Sequence, residues 1–178
     1  MAVYIDGQNF YNSLKKHEIY FPAFRLEDFL QDIVGSRQQV SAGYYVAKVR
    51  QFNDDPQTQK VYTAQRRTLA KVEKAGLKNI IAGNVQYDGT HYREKGVDVR
   101  LALDILTGVY EDAFDTAIVV SADTDLRPAY DMAISKGKTL EIVMFTEQVS
   151  RALSQPHYNF RVYNTSQLSQ YLPKRYRK

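Results

Sequence analysis

The chain has no cysteine, no tryptophan and only five prolines. Without cysteine there is no disulfide framework and no thiolate metal site, and composition says nothing about redox compartment. The three histidines, His17, His91 and His157, stand in unrelated contexts, so a histidine-built zinc centre has no spacing behind it. No apolar run approaches the length of a membrane span, and the N-terminus lacks a signal-peptide pattern. A cytoplasmic protein with no membrane partner is the resulting expectation. No GxGxxG run and no Walker loop occurs, so a nucleotide cofactor is not expected. Charge of one sign is also scarce. Net charge is +4, but Lys174, Arg175, Arg177 and Lys178 carry it; removing those four from 24 basic residues leaves 20 against 20 acidic ones. A short basic tail suits a polyanion partner, or is simply a solvated terminus.

What is present is 178 residues with 44% hydrophobic content, enough for one sizeable core. No internal repeat, low-complexity tract or linker divides it. A single domain over 1–178 is expected, with a core at about 2–145, a C-terminal extension at 146–172 and the basic tail at 173–178. The stretch 116–125 organises the rest. Ile118, Val119 and Val120 form a β-branched run of the kind found in a strand buried on both faces. It stops abruptly in Ser121, Ala122, Asp123, Thr124 and Asp125, and a helical pattern follows with Pro128 in its first turn. Two carboxylates therefore stand where a buried strand hands over to a helix. A helix cap accounts for one of them, Asp125, but not for both.

Further elements alternate along the chain. Strands are expected at 2–5, 40–49, 77–82 and 140–145, with an edge strand at 160–163. Helices are expected at 8–16, 26–34, 57–75 (closed by Gly76), 98–110, from the central strand to about 136, at 150–153 and at 166–171. Asn53-Asp54-Asp55-Pro56 reads as a turn and helix start, and Asp88-Gly89, within a looser stretch at 83–92, marks a hairpin or turn. Strands alternating with helices predict a mostly parallel central sheet covered on both faces.

Four aspartates fall where such a sheet can bring them together. Asp6 ends the first strand, Asp123 and Asp125 follow the central one, and Asp98 opens a helix. At about 100° per residue, Asp98 shares an arc with Leu101, Ala102, Ile105, Leu106 and Val109. Asp104 lies roughly 120° and about 9 Å away, pointing to solvent and pairing with Arg100. A carboxylate on the buried stripe needs a partner: helix capping, Lys95, or an ion. Clustered carboxylates without His or Cys suit a hard, oxygen-preferring cation, Mg²⁺ or Mn²⁺. Such an ion shares its remaining positions with phosphate and acidifies water.

The segments Tyr4–Phe10 (YIDGQNF), Glu94–Val99 (EKGVDV) and Ser121–Asp125 (SADTD), in this order and spacing, resemble the NYN domain, the LabA-like branch of the PIN-domain ribonuclease superfamily. The similarity runs over about 2–145. It implies a PIN-like three-layer α/β/α sandwich and a metal-dependent endoribonuclease. By position, Asp6, Asp98, Asp123 and Asp125 would be the catalytic, metal-binding acids. Asn9 would orient Asp6 or a phosphate, and Lys95 would lie beside the scissile group. Ala122 departs from the usual glycine and Leu126 from the usual aromatic; an alanine fits unless the backbone needs a positive φ.

Other features have plain structural readings beside functional ones. Tyr11, Tyr87, Tyr92 and Tyr158 can stack on unpaired bases or be half-buried surface residues. Gln59, Arg66, Arg67, Lys71 and Lys74 form a polar, largely basic helix face, either an RNA-backbone contact or a solvated surface. Gly7 and Gly96 suggest close backbone approach to the site. The expected activity is hydrolysis of RNA phosphodiester bonds, with single-stranded RNA as partner and a homodimer left open. The alternative is an RNA-binding or scaffolding module that keeps its acidic pocket with little turnover. An aspartyl-phosphate phosphatase is disfavoured because Gln8 occupies the position of its acid–base aspartate.

Overall fold

The computed structural model describes residues 1–49, 56–87 and 92–176. In chain order the elements are β1 (Ala2–Asp6), α1 (Gly7–Lys16), α2 (Leu26–Val34), β2 (Ser41–Lys48), α3 (Pro56–Lys74), β3 (Lys78–Tyr87), β4 (Tyr92–Lys95), α4 (Val97–Tyr110), β5 (Thr116–Val120), α5 (Arg127–Ser135), β6 (Thr139–Phe145), β7 (Asn159–Tyr163) and α6 (Thr165–Ser169). One seven-stranded sheet runs β4-β3-β2-β1-β5-β6-β7. Six strands are parallel, and β4 alone is antiparallel, against β3. The mostly parallel sandwich expected from the alternating pattern is therefore the observed fold.

Period-two alternation sorts side chains into two cores. Val3 and Ile5 of β1, with Tyr44, Val46, Ile118, Val120, Val143 and Phe145, face α1, α2 and α6. Ala2 and Tyr4, with Tyr45, Ala47, Ala117, Val119, Ile142 and Met144, face α4 and α5. The helices bury matching stripes, Phe29 and Ile33 on α2 and Leu101, Ile105 and Val109 on α4. Phe10 of α1 stacks on Phe29 at 5.5 Å and meets Phe24 and Phe145 at 5.8 Å each. Strands β1 and β5, covered on both sides, are accordingly apolar throughout their inner residues.

Topology then selects a location. From β1 the chain winds outward through β2 and β3 in one direction, and later through β5, β6 and β7 in the other. The crevice beyond the carboxyl ends of β1 and β5 is thus the topological switch point, where ligands bind in open α/β sheets. Asp6 ends β1, and Asp123 lies just past β5.

Two segments differ from expectation. β3 runs on to Tyr87 and returns as β4, because the chain past Gly83 finds a ladder there: Asn84 opposes Lys95 and Tyr87 opposes Tyr92. The Asp88-Gly89 turn that would join them, and the turn at Asn53-Asp54-Asp55, lie outside the described residues. The helix expected at 150–153 is a single turn, with the Leu153 N–H donating to the Ser150 carbonyl at 3.1 Å. Four residues cannot repay helix nucleation. At the other edge, the strand expected at 160–163 is present as β7, parallel to β6.

The β3–β4 hairpin also sets where α4 begins. A Cβ added to Gly83, whose φ is +71°, would lie 1.7 Å from the Lys95 carbonyl oxygen. Only a bare backbone lets Lys95 and Gly96 pass this close before α4 and Asp98 start. Gly83→Ala should lower unfolding stability by about 2 kcal/mol or more, as measured by urea denaturation. Gly137→Ala, at φ +79° with open space around it, carries only backbone strain and should cost less. Equal losses in the two variants would show that the close approach is unimportant.

Candidate metal centre

β1 passes into α1 without a loop, so Asp6 is both the last strand residue and the N-cap of the helix. Its Oδ1 accepts the Asn9 N–H at 3.0 Å, and its Oδ2 accepts the Ser121 hydroxyl at 3.1 Å. The same Ser121 oxygen accepts the Asp123 N–H at 3.1 Å, and the Asn9 side-chain oxygen accepts the Ala122 N–H at 3.2 Å. These bonds tie the β1–α1 corner to the segment after β5. Asp6 is 4% exposed and Ser121 is fully buried. A carboxylate has about four lone-pair sites, so two accepted bonds orient Asp6 without filling it.

After β5 the chain makes a short 3₁₀ turn, Thr124–Leu126, and enters α5 with Pro128 in the first turn. The cap of that turn is Asp123, whose Oδ1 accepts the Asp125 N–H at 2.9 Å, and not Asp125. The reason is local: Asp123 is still extended (φ −74°, ψ 124°) and stands immediately before the first turn. Ala122 raises no difficulty, since only Glu18 and Asp112 among described non-glycine residues have positive φ. Leu126 is buried in the α4/α5 core.

The N-cap of α4 is Gly96, at φ +90°, so Asp98 does not serve as the cap. Nor does Asp98 belong to the buried stripe. Val97 takes the buried position of the first turn, and Asp98, about 100° further round, is exposed at the flank. Its carboxylate reaches the sheet edge from there. Asp104 is half-buried where solvent exposure was expected, because Tyr45 reaches it from β2 and donates at 3.0 Å. The expected Arg100–Asp104 pair is present at 2.7 Å.

Asp6, Asp98 and Asp123 come together: each offers a carboxylate oxygen, and all three oxygens lie within 4.8 Å of one another. Asp125 is exposed and outside this triad, although its charge acts on Asp98. Lys95 is exposed at the end of β4. The donor set fits a hard divalent cation. Oxygens about 2.1 Å from one Mg²⁺ can be at most about 4.2 Å apart, so small side-chain rotations would close the group. There is no nitrogen or sulfur donor in it to favour a softer metal.

Electrostatics agree with that fit. Burial pushes the Asp6 carboxyl up to about 6, against the lowering effect of its bonds from Asn9 and Ser121, and the charges of Asp98 and Asp123 add to the rise. Asp98, though exposed, is also raised, by partial desolvation first and then by the charges of Asp123 and Asp125. Crowded carboxylates hold their protons unless a cation neutralises them.

Some candidates turn out to be structural. Tyr158 is buried, and its hydroxyl donates to Asp131. Lys71 donates to the Pro22 carbonyl at 2.9 Å and covers the Phe21 ring, which removes it from the basic face that Arg66, Arg67 and Lys74 expose. Gly7 does allow a close approach, but to β2: a Cβ there would lie 2.6 Å from the Tyr44 ring. Two residues near the acids carried no site reading in the sequence. Ser121 had one usable signal, a small hydroxyl between a buried strand and an acid. Tyr130 had none, since it reads as an ordinary helix-core aromatic.

Residues 1–163 match the NYN domain, and the chain belongs to that family. NYN domains are part of the PIN-like nuclease superfamily. A crystal structure of a protein of unknown function from Vibrio parahaemolyticus has a similar fold, with a TM-score of 0.61 and 22% identity over 90% of each chain. No curated protein matches the chain. Among the described residues no helix is long and apolar enough to cross a membrane.

The raised Asp6 value has a sign that can be tested without metal. Its folded value exceeds the unfolded one, so its contribution to stability is complete near pH 4 and is lost as pH rises through about 6. In EDTA, wild-type protein should lose about 2 kcal/mol more than Asp6→Asn between pH 4.5 and 8, read from urea denaturation. Asparagine is an equally good N-cap, so the variant should fold. Parallel pH profiles for the two proteins would contradict a crowded, buried Asp6.

Proposed function

We propose that this protein is a Mg²⁺- or Mn²⁺-dependent ribonuclease of the LabA-like branch, acting in the cytoplasm on single-stranded RNA. The observation that carries this reading is the convergence of Asp6, Asp98 and Asp123 to within 4.8 Å at the switch point of the sheet. Membership of the NYN family supports nuclease chemistry. In hydrolysis the oxygen of water bonds to phosphorus, one P–O ester bond breaks, and the departing oxygen takes a proton.

A bound divalent cation would supply charge neutralisation and acidification of water. The chain's own residues would do the rest. Asp6, Asp98 and Asp123 would hold the cation, with Asp6 aimed by Ser121 and by the Asn9 N–H. Asp125 would hold a water or a second ion at the exposed rim. Asn9 would act as a brace, since its side-chain oxygen already accepts the Ala122 N–H. Lys95 would attract the phosphate from the exposed end of β4. Tyr11, 45% exposed one turn into α1, offers a face on which an unpaired base can stack.

The test is incubation of single-stranded RNA with the protein in Mn²⁺ or in EDTA, with Asp123→Asn alongside. Cleavage should require the metal, and Asp123→Asn should lower its rate at least about 100-fold, because losing a direct ligand should cost no less than losing an outer-shell partner. Cleavage that persists in EDTA, or in Asp123→Asn at the wild-type rate, would refute the mechanism. RNA binding without any metal-stimulated product would point instead to a binding module.

A further inference from the structure

Most buried tyrosines of this protein bond their hydroxyls to the chain itself. Tyr44 donates to the Gly7 carbonyl at 3.2 Å and Tyr45 to Asp104 at 3.0 Å. Tyr163 and Tyr171 donate to Asp32 at 2.7 and 2.8 Å, and Tyr158 donates to Asp131. Tyr130 on α5 is the exception among the described residues. It is fully buried, yet its hydroxyl oxygen has no hydrogen-bond partner. A buried hydroxyl left unpaired costs about 1–3 kcal/mol, and phenylalanine would fill the same shape without that cost. The ring is held edge-on against Tyr158, with centroids 6.4 Å apart and planes at 79°.

The acidic centre lies near enough to act on that hydroxyl electrostatically. α5 follows directly from the turn capped by Asp123, and Tyr130 packs in the same core as Val97 and Leu126, which adjoin Asp98 and Asp125. The negative charges of Asp6, Asp123 and Asp98 all act on the Tyr130 hydroxyl, that of Asp6 most strongly. Burial above all, and these charges after it, keep it protonated. It is therefore a fixed donor, and ionised carboxylates are pure acceptors.

We propose that Tyr130 is a positioning residue of the acidic centre, its hydroxyl donating through one water to the Asp6 carboxylate and so setting the affinity for the divalent cation. The proposal rests on reading the triad as a cation site. The hydrogen bond orients a ligand and raises no new charge, which is how outer-shell partners tune metal sites. A water there has Tyr130 and the carboxylates as polar partners.

The test is calorimetric titration of Mn²⁺ into the full chain, comparing wild type, Tyr130→Phe and Tyr158→Phe, with melting temperatures recorded in EDTA. Tyr130→Phe should bind Mn²⁺ about tenfold more weakly without melting higher than wild type. Tyr158→Phe, which loses a bond to Asp131 instead, should keep wild-type Mn²⁺ affinity. If Tyr130→Phe binds Mn²⁺ like wild type and melts higher, the hydroxyl is merely unpaired and the proposal is wrong. Equal weakening in both variants would assign the effect to packing and likewise overturn it. A wild type that binds no Mn²⁺ would sink this inference together with the cation site itself.

Discussion

Like charges held at close quarters are the constraint on which this structure turns. Asp6, Asp98 and Asp123 repel one another, and Asp6 is almost completely withdrawn from water. Nothing in folding alone favours that arrangement, and the elevated Asp6 carboxyl records its cost. The cost is tolerated because each acid is fixed by a separate device. Asp6 is a helix cap with a bond to each oxygen, Asp123 caps the next turn, and Asp98 stands on the first turn of a long helix. Ser121 links two of them, accepting from the Asp123 N–H while donating to Asp6.

Rigid packing beneath the acids makes these devices effective. The sheet is sealed on one side by an aromatic core around Phe10 and Phe29 and on the other by the stripe of α4 against Tyr4, Tyr45 and Phe114. Interiors at this density deform little, so β1 and β5 hold Asp6 and Ser121 in fixed register, Ile5 beside Val120. Asp98 depends on a different part of the fold. Its helix is entered from the β3–β4 hairpin through the tight Gly83–Lys95 crossing. One centre is thus assembled from the middle of the sheet and from its edge. This exploits the switch point, where neighbouring strand ends lead into helices on opposite faces.

Legibility varied with the range of the forces involved. Strands 2–6, 116–120 and 139–145 were visible because double-sided burial leaves continuous apolar runs, and helix 26–34 because its stripe repeats at 3.6 residues. The run past Gly83 was not legible as a strand, since what makes it one is a partner on the far side of the 88–91 segment. The exchange of capping roles between Asp123 and Asp125 was missed because three residues, Ser121 to Asp123, separate the strand from the first turn, a boundary that composition does not mark. Tyr158 read as a surface aromatic and is interior; Lys71 read as a free cation and is tied to Pro22. Both depend on neighbours remote in sequence.

By itself the amino-acid order determined which segments bury apolar surface, the alternation that makes a parallel sandwich, and the presence of acids at strand and helix ends, because these follow from periodicity and from the conformational preferences of single residues. Only the tertiary structure decided which acids meet. Asp6, Asp98 and Asp123 converge while Asp104 is drawn to Tyr45 and Asp125 stays at the rim. The physical reason is that separation along the chain and separation in space are related only through strand order and helix phase, and a rotation of one residue, from Val97 to Asp98, moves a side chain from the core to the site.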